Sequence, residues 1–244
     1  MSTPTPVVLV HGGGFAGSCW DLLTPLLKVP VIAVDLPGRG NHPAPLDSFG
    51  LEEAAESVAA DVDAAGFDDI ILVGHSLAGC SMPAAIGLLG ARVRHAVFVA
   101  CTVPEDGTSC LDTLPDDIKA LAGDASRATE LGVLTPEMAR LLFGNDLDEQ
   151  QVSWMLERMV PEAPRLTTDR VDLAPLASTM RRTWVRTIHD VVVPPDRQRR
   201  FARNVGSCEV IELDAAHMCM ISQPAALAGI INGIARSSEV PHSG

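Results

Sequence analysis

The sequence predicts an α/β protein with a mostly parallel, doubly wound sheet and an inserted helical cap. Three observations carry this. Short continuous apolar runs alternate with helical patterns, as expected of strands covered by helices on both faces. The run Ile70-Ile71-Leu72-Val73 ends in Gly74-His75-Ser76-Leu77-Ala78-Gly79, a tight turn with a serine at its apex that leads into a helix of small residues. The stretch 104–182 breaks the alternation, with several helix signals and no convincing strand. The predicted division is a core of residues 1–103 and 183–244 with a cap of residues 104–182.

Taken in order, residues 6–10 form a first strand that ends at His11-Gly12-Gly13-Gly14. Val31-Ile32-Ala33-Val34 forms a second and ends at Asp35, before the turn residues Pro37-Gly38-Arg39-Gly40. Leu51, Ala54, Ala55, Val58, Ala59 and Val62 then share one helical face, with Glu52, Glu53, Glu56 and Asp63 turned to water. Gly66 suits the end of that helix. The serine turn opens a helix to about residue 89, in which Pro83 is expected to cause a kink or disturb one hydrogen bond. Ala96-Val97-Phe98-Val99-Ala100 is the next strand. Within the cap, Thr135-Pro136-Glu137 opens a helix, and residues 147–160 are amphipathic, with Val152, Met155, Leu156 and Met159 on one side. Residues 184–188 and 209–213 are the last strands. Ser222 is expected to cap a final helix with Pro224 in its first turn and Leu227, Ile230, Ile231 and Ile234 on one face. Residues 237–244 read as a frayed tail.

The chain has 244 residues, of which 47 % are hydrophobic and 20 % charged, enough for a packed core. The formal net charge of −13 argues against a nucleic-acid or anionic-membrane surface. No apolar run reaches the roughly 18 residues of a membrane span. The first residues lack the basic start of a signal peptide, so a cytoplasmic location is the default expectation. Cys19, Cys80, Cys101, Cys110, Cys208 and Cys219 show no C-x-x-C spacing and read as reduced thiols. The histidines are scattered and no H-E-x-x-H motif occurs, so no metal is expected. The glycine run after the first strand lacks a following P-loop lysine, and no cofactor is expected either. The run Arg197-Gln198-Arg199-Arg200, with Arg203, reads as a solvated helix face.

A serine hydroxyl is a weak nucleophile until a base and an orienting acid activate it. Of seven histidines, His217 is best placed, in the loop after the last strand. His11 and His75 sit beside the first loop and inside the serine turn, where packing is the simpler role. Asp190, just past the strand ending at Ile188, is the candidate acid. The rival position after the preceding strand reads Cys101-Thr102, with Glu105 and Asp106 only further on. Asp35 precedes the serine and reads as a turn residue, and Asp214 stands too near His217 along the chain. The backbone N–H of Leu77 and that of Gly13 are the candidate donors to a developing oxyanion.

These segments together resemble the α/β-hydrolase family over nearly the whole chain. They are most similar to small esterases related to plant methylesterases and hydroxynitrile lyases. The resemblance rests on residues 8–14, Asp35-Leu36-Pro37-Gly38-Arg39-Gly40, Gly74-His75-Ser76-Leu77, His189-Asp190 before Val193-Pro194, and His217-Met218 leading to Ser222-Gln223-Pro224. It implies a Ser76–His217–Asp190 triad, oxyanion donors at Gly13 and Leu77, and a cap that shapes the substrate pocket. The lyases it resembles carry Thr where this chain has Gly12 and Lys where it has Met218, so hydrolysis is expected over cyanohydrin cleavage. The expected enzyme is a serine esterase that cleaves a small or apolar ester, methyl esters included, through an acyl-serine. Alternatives on the same fold are a lyase, a cyclase or an acyltransferase, and, in another class, a non-catalytic ligand receptor. The expected partner is a small-molecule ester, not nucleic acid or membrane. A homodimer is compatible with such a chain.

Overall fold

The computed structural model describes residues 4–114 and 134–237. The predicted frayed tail and His242 lie outside the described residues, apart from Ser237, which ends the last helix. Among the described residues the strands are β1 (Val7–Val10), β2 (Val31–Val34), β3 (Ile70–His75), β4 (Val93–Val99), β5 (Arg181–Thr187) and β6 (Glu209–Leu213). The helices are α1 (Leu51–Ala64), α2 (Ala78–Leu89), α3 (Pro136–Phe143), α4 (Glu149–Leu156), α5 (Arg165–Thr168), α6 (Pro195–Asn204), α7 (Cys219–Ser222) and α8 (Pro224–Ser237).

The six strands pair in parallel throughout, in the order β2-β1-β3-β4-β5-β6. Alternate residues of one strand feed two separate cores. Ile70 and Leu72 pack with α1 and α2 residues such as Val58 and Met82. Ile71 and Val73 pack on the other face with Trp20 and the α8 residues Leu227 and Ile231. Burial on both faces is why β3 reads as one unbroken apolar run. The edge strand β6 instead carries Glu209 and Glu212 to solvent, which discourages pairing with another sheet.

Sequence order reverses around β1, because β2 lies on one side of it and β3 on the other. Open α/β sheets bind ligands at such a reversal, beyond the carboxyl ends of the strands. The loops after β1 and β3 both open there.

Several elements differ from expectation for local reasons. Helix α4 starts at Glu149 rather than 147 because Asp148 and Gln151 exchange capping bonds of 2.8 and 2.9 Å. Thr135 caps α3 through the Met138 N–H, as its sequence suggests. Pro83 lies inside α2, which continues through it to Leu89. Ser222 does not cap the final helix. It closes α7, its Oγ is buried with no partner among the described residues, and α8 opens at Pro224, which moves the cap position to Gln223. The arginine run lies on α6, and Arg199, Arg200 and Arg203 match the solvated face, the first two pairing with Asp196 and Glu105, but the rest of the run does not. Arg197 donates to Thr113 Oγ1 at 3.0 Å, and Gln198 is fully buried. All six cysteines are free thiols, with Cys110 and Cys208 only half-buried. No helix among the described residues is long and apolar enough to cross a membrane.

Two glycines near the serine turn are set by space. A Cβ on Gly79 would lie 2.4 Å from the backbone oxygen of Thr102, whereas one on Gly74 would meet Met82 Sδ, the movable end of a side chain, at 2.2 Å. Overpacking a core costs about 1–3 kcal/mol. Gly79→Ala should therefore destabilise the protein more than Gly74→Ala, by about 1 kcal/mol or more in urea unfolding. Equal or reversed losses would contradict this account of the turn.

Candidate active site

Strand β3 delivers Ser76 to the carboxyl edge of the sheet. Its φ is +52°, in the left-handed region that a residue with a Cβ seldom occupies. The turn is held by β4 and the loop after it: Ser76 N–H donates to Val99 O at 3.0 Å, and Ser76 O accepts from Thr102 N–H at 2.9 Å. That close approach of the following loop is what demands glycine at 79 and tolerates alanine at 78.

Ser76 Oγ lies 2.9 Å from His217 Nε2, and His217 Nδ1 lies 2.8 Å from Asp190 Oδ2. His217 and Asp190 are 1 % and 3 % exposed, so their bond is sheltered from water. The Asp190 carboxylate is fully subscribed. Oδ1 accepts from the N–H groups of Val192 and Val193 at 2.8 and 2.9 Å, and Oδ2 also accepts from Thr187 Oγ1 at 3.0 Å. Burial pushes this carboxyl up, but the His217 ring and these donors outweigh burial and hold it below the usual carboxylate range.

The competing acids lie elsewhere. Asp35 accepts from Gly17 N–H and Asn41 N–H, Asp214 pairs with His189 at the surface, Glu105 pairs with Arg200, and Asp106 accepts from Leu173 N–H. His42 and His95 bond Asp61 and Thr183.

His11 and His75 are buried beside the site, and each is neutral in a single tautomer. Leu36 N–H can only donate, so His11 Nε2 accepts it at 3.2 Å and the proton sits on Nδ1, which donates to Gly12 O at 2.9 Å. His75 Nε2 carries its proton toward the backbone oxygen of His217 at 2.9 Å. Burial, reinforced by Arg39, lowers His11 from 6.5 to about 3. Burial, reinforced by His217, lowers His75 from 6.5 to about 3.

The glycine loop after β1 packs directly on the serine turn. A Cβ on Gly12 would lie 2.9 Å from Ser76 Cβ, and one on Gly13 would lie 3.0 Å from Leu77 Cδ2. The backbone N–H groups of Gly13 and Leu77 donate to no group among the described residues. A tight cavity of only about 10 Å³ lies here, lined by Gly12, Gly13, Leu51, Leu77, Glu162 and Leu166 among others. No cluster of three His, Cys, Asp or Glu side chains suited to a metal occurs among the described residues.

Sequence reading missed three contributors, and the role of a fourth, Phe143. Gln198 ties down both ends of the Asp190 loop. Its Nε2 faces three acceptors, Thr187 O, Thr187 Oγ1 and Val193 O, while its Oε1 faces the donors Thr187 N–H and Trp184 Nε1–H. From the insert between β4 and β5, Phe143 stacks on His217 with centroids 5.6 Å apart. Asn145 Nδ2 donates to His189 O at 2.9 Å, and Asp146 Oδ2 accepts from Ala216 N–H at 2.7 Å. The insert thus grips both loops that carry Asp190 and His217. These pairings join residues 44 and 70 positions apart, beyond the reach of any local pattern. Only the polar Gln198 amid the apolar positions of α6 offered a signal.

Residues 7–230 match the Alpha/beta hydrolase family. The chain belongs to this family. Similar proteins include the polyneuridine aldehyde esterase of Rauvolfia serpentina, 27 % identical over 89 % of this chain and 90 % of that one. Methylesterase 17 of Arabidopsis thaliana is 25 % identical over 93 % of this chain and 90 % of its own. This family member is thus similar to carboxylic ester hydrolases over most of its length. Its fold also matches an extracellular alpha/beta-hydrolase from a Paenibacillus species, with a TM-score of 0.85 at 20 % identity, covering 93 % of this chain and 98 % of that one. The Arabidopsis methylesterase MES16 matches with a TM-score of 0.77 at 20 % identity, over 96 % and 99 % of the two chains.

Two outcomes follow from the buried groups of this α/β-hydrolase. Folded His11 and His75 stay neutral down to about 3, whereas in the unfolded chain they take up protons below 6.5. The unfolded state therefore binds more protons in that window, and stability falls as pH is lowered through it. Asp190 stays charged in both states until its usual value of 3.8 is approached, so it keeps its contribution there. Urea unfolding should show a loss of at least about 2.5 kcal/mol from about pH 7 to about pH 5.5. A flat profile would mean that neither ring is held neutral in the folded protein. Separately, Gln198→Leu should cost about 3 kcal/mol or more by leaving buried backbone groups unpaired. A loss under about 1 kcal/mol would show that water replaces the amide.

Proposed function

We propose that the protein is a serine esterase that works through an acyl-serine intermediate. The observation that supports this most is the unbroken chain Ser76 Oγ–His217 Nε2 and His217 Nδ1–Asp190 Oδ2, at 2.9 and 2.8 Å. On this reading His217 takes the Ser76 proton as Oγ attacks the ester carbonyl. The negative oxygen of the tetrahedral intermediate accepts from Gly13 N–H and Leu77 N–H, which have no competing partner among the described residues. Collapse expels the alcohol, which receives the proton from His217. Water, deprotonated by the same ring, then releases the acid and restores Ser76. Asp190 stabilises the imidazolium in both halves without taking the proton.

The substrate we assign is a small or apolar ester, methyl esters included. The apolar side chains of Leu51, Leu77 and Leu166 beside the glycine loop suit an apolar acyl group. The names of the similar plant proteins point the same way. Met218, which follows the base, is fully buried and apolar, so no cation stands there to stabilise a departing cyanide. Residues 104–182 would act as the cap that walls the pocket.

Ser76→Ala should lower turnover of a p-nitrophenyl short-chain ester by about 1,000-fold or more while leaving the unfolding midpoint unchanged. A fluorophosphonate should add once to the wild-type chain, on Ser76, and not to the variant. Undiminished turnover in Ser76→Ala would end this mechanism. Asp190→Asn should lower kcat by about 10,000-fold through the wrong His217 tautomer, and a loss under tenfold would remove Asp190 from the triad.

A further inference from the structure

The turn Pro37-Gly38-Arg39-Gly40 contains a residue that the proposed mechanism does not use. Positive φ values at Gly38 and Gly40, +84° and +51°, fold the turn so that Arg39 is only 4 % exposed. Its NH2 lies 2.5 Å from Glu162 Oε1, and its NH1 lies 3.4 Å from Glu162 Oε2. The same NH1 donates to Phe15 O at 2.7 Å, at the far end of the glycine loop.

Glu162 belongs to the insert, and its carboxylate reaches into that loop. Oε2 accepts from Gly14 N–H at 2.8 Å, while Val160 N–H donates to Gly14 O at 2.9 Å. Both backbone groups of Gly14 are thus held by residues 160–162. Glu162 Oε1 also accepts from Ala163 N–H at 2.8 Å. A Cβ on Gly13 would lie 3.3 Å from Glu162 Oε2, so the carboxylate rests against the residue whose N–H faces the oxyanion. An acceptor there fixes the Gly13–Gly14 peptide plane. An uncompensated negative charge there would oppose the charge that develops on the substrate oxygen.

We propose that Glu162 and Arg39 are positioning residues for the oxyanion loop: Glu162 clamps the Gly13–Gly14 peptide, and Arg39 cancels its charge so that the clamp does not work against the developing oxyanion. This rests on the esterase reading for its kinetic consequence, but not for the clamp. The pair also explains why Arg39 is buried. Its guanidinium must reach Glu162 and Phe15 O at once, a forked geometry that an ammonium does not supply.

The test uses the full chain with Arg39→Met, Glu162→Gln, the double variant and Glu162→Ala. Rates are normalised to the sites titrated by a fluorophosphonate. Arg39→Met leaves the carboxylate unpaired, and kcat for p-nitrophenyl acetate should fall about tenfold or more with KM nearly unchanged. Glu162→Gln keeps an acceptor for Gly14 N–H and should lose less. The double variant, with neither charge, should recover most of the kcat lost in Arg39→Met. A merely structural anchor would give additive losses instead, and a double variant no better than Arg39→Met would overturn the charge argument. Hydrogen exchange over residues 12–16 should rise about tenfold in Glu162→Ala, and unchanged exchange would overturn the clamp. The exchange measurement decides the clamp even if Arg39→Met does not fold. It also decides it if the wild-type protein fails to hydrolyse the ester or to label at Ser76, a failure that would belong to the esterase reading.

Discussion

The parallel pairing of β1 with β3 is the constraint on which the rest depends. Val10 stands opposite Gly74, so the glycine loop and the serine turn leave the sheet side by side. That register brings Gly12 against Ser76 and Gly13 against Leu77 with no room for side chains between. Strand β4 then supplies Val99 O to hold the Ser76 N–H in its left-handed turn. A slip of one residue in β3 would turn its core residues to the opposite faces and carry Ser76 away from the loop.

The far side of the site is built by the same device. Strands β5 and β6 also run parallel, and their exit loops are bonded together: Ile188 N–H donates to Leu213 O, and His189 N–H to Ala215 O. Asp190 and His217 are thus delivered as one unit. Around them the protein keeps charge low and paired. His11 and His75 are held neutral, and the buried Arg39 is matched by Glu162. Buried charges left without partners would be strongly destabilising here.

The insert between β4 and β5 is part of this construction. Phe143, Asn145, Asp146, Val160 and Glu162 touch the histidine loop, the acid loop and the glycine loop in turn. Movement of the insert is therefore coupled to the geometry of these three loops.

By itself the sequence determined the strands, the glycines and the ends at which Ser76, Asp190 and His217 stand. Those signals are local: apolar runs of period-free burial, turn residues and strand-end positions are written within a few residues of each other. It also named the limits of α1 and the start of α3 through spacing and Thr135. Tertiary structure alone decided the buttresses. Gln198 looked like part of a charged face because its neighbours are arginines, yet it is the member of that run turned to the core. Glu162 and Asp146 are ordinary surface acids by pattern, and they become structural because the insert folds back over loops more than 60 residues distant. Which polar group meets which across such distances depends on the packing of whole elements, and no local period encodes it.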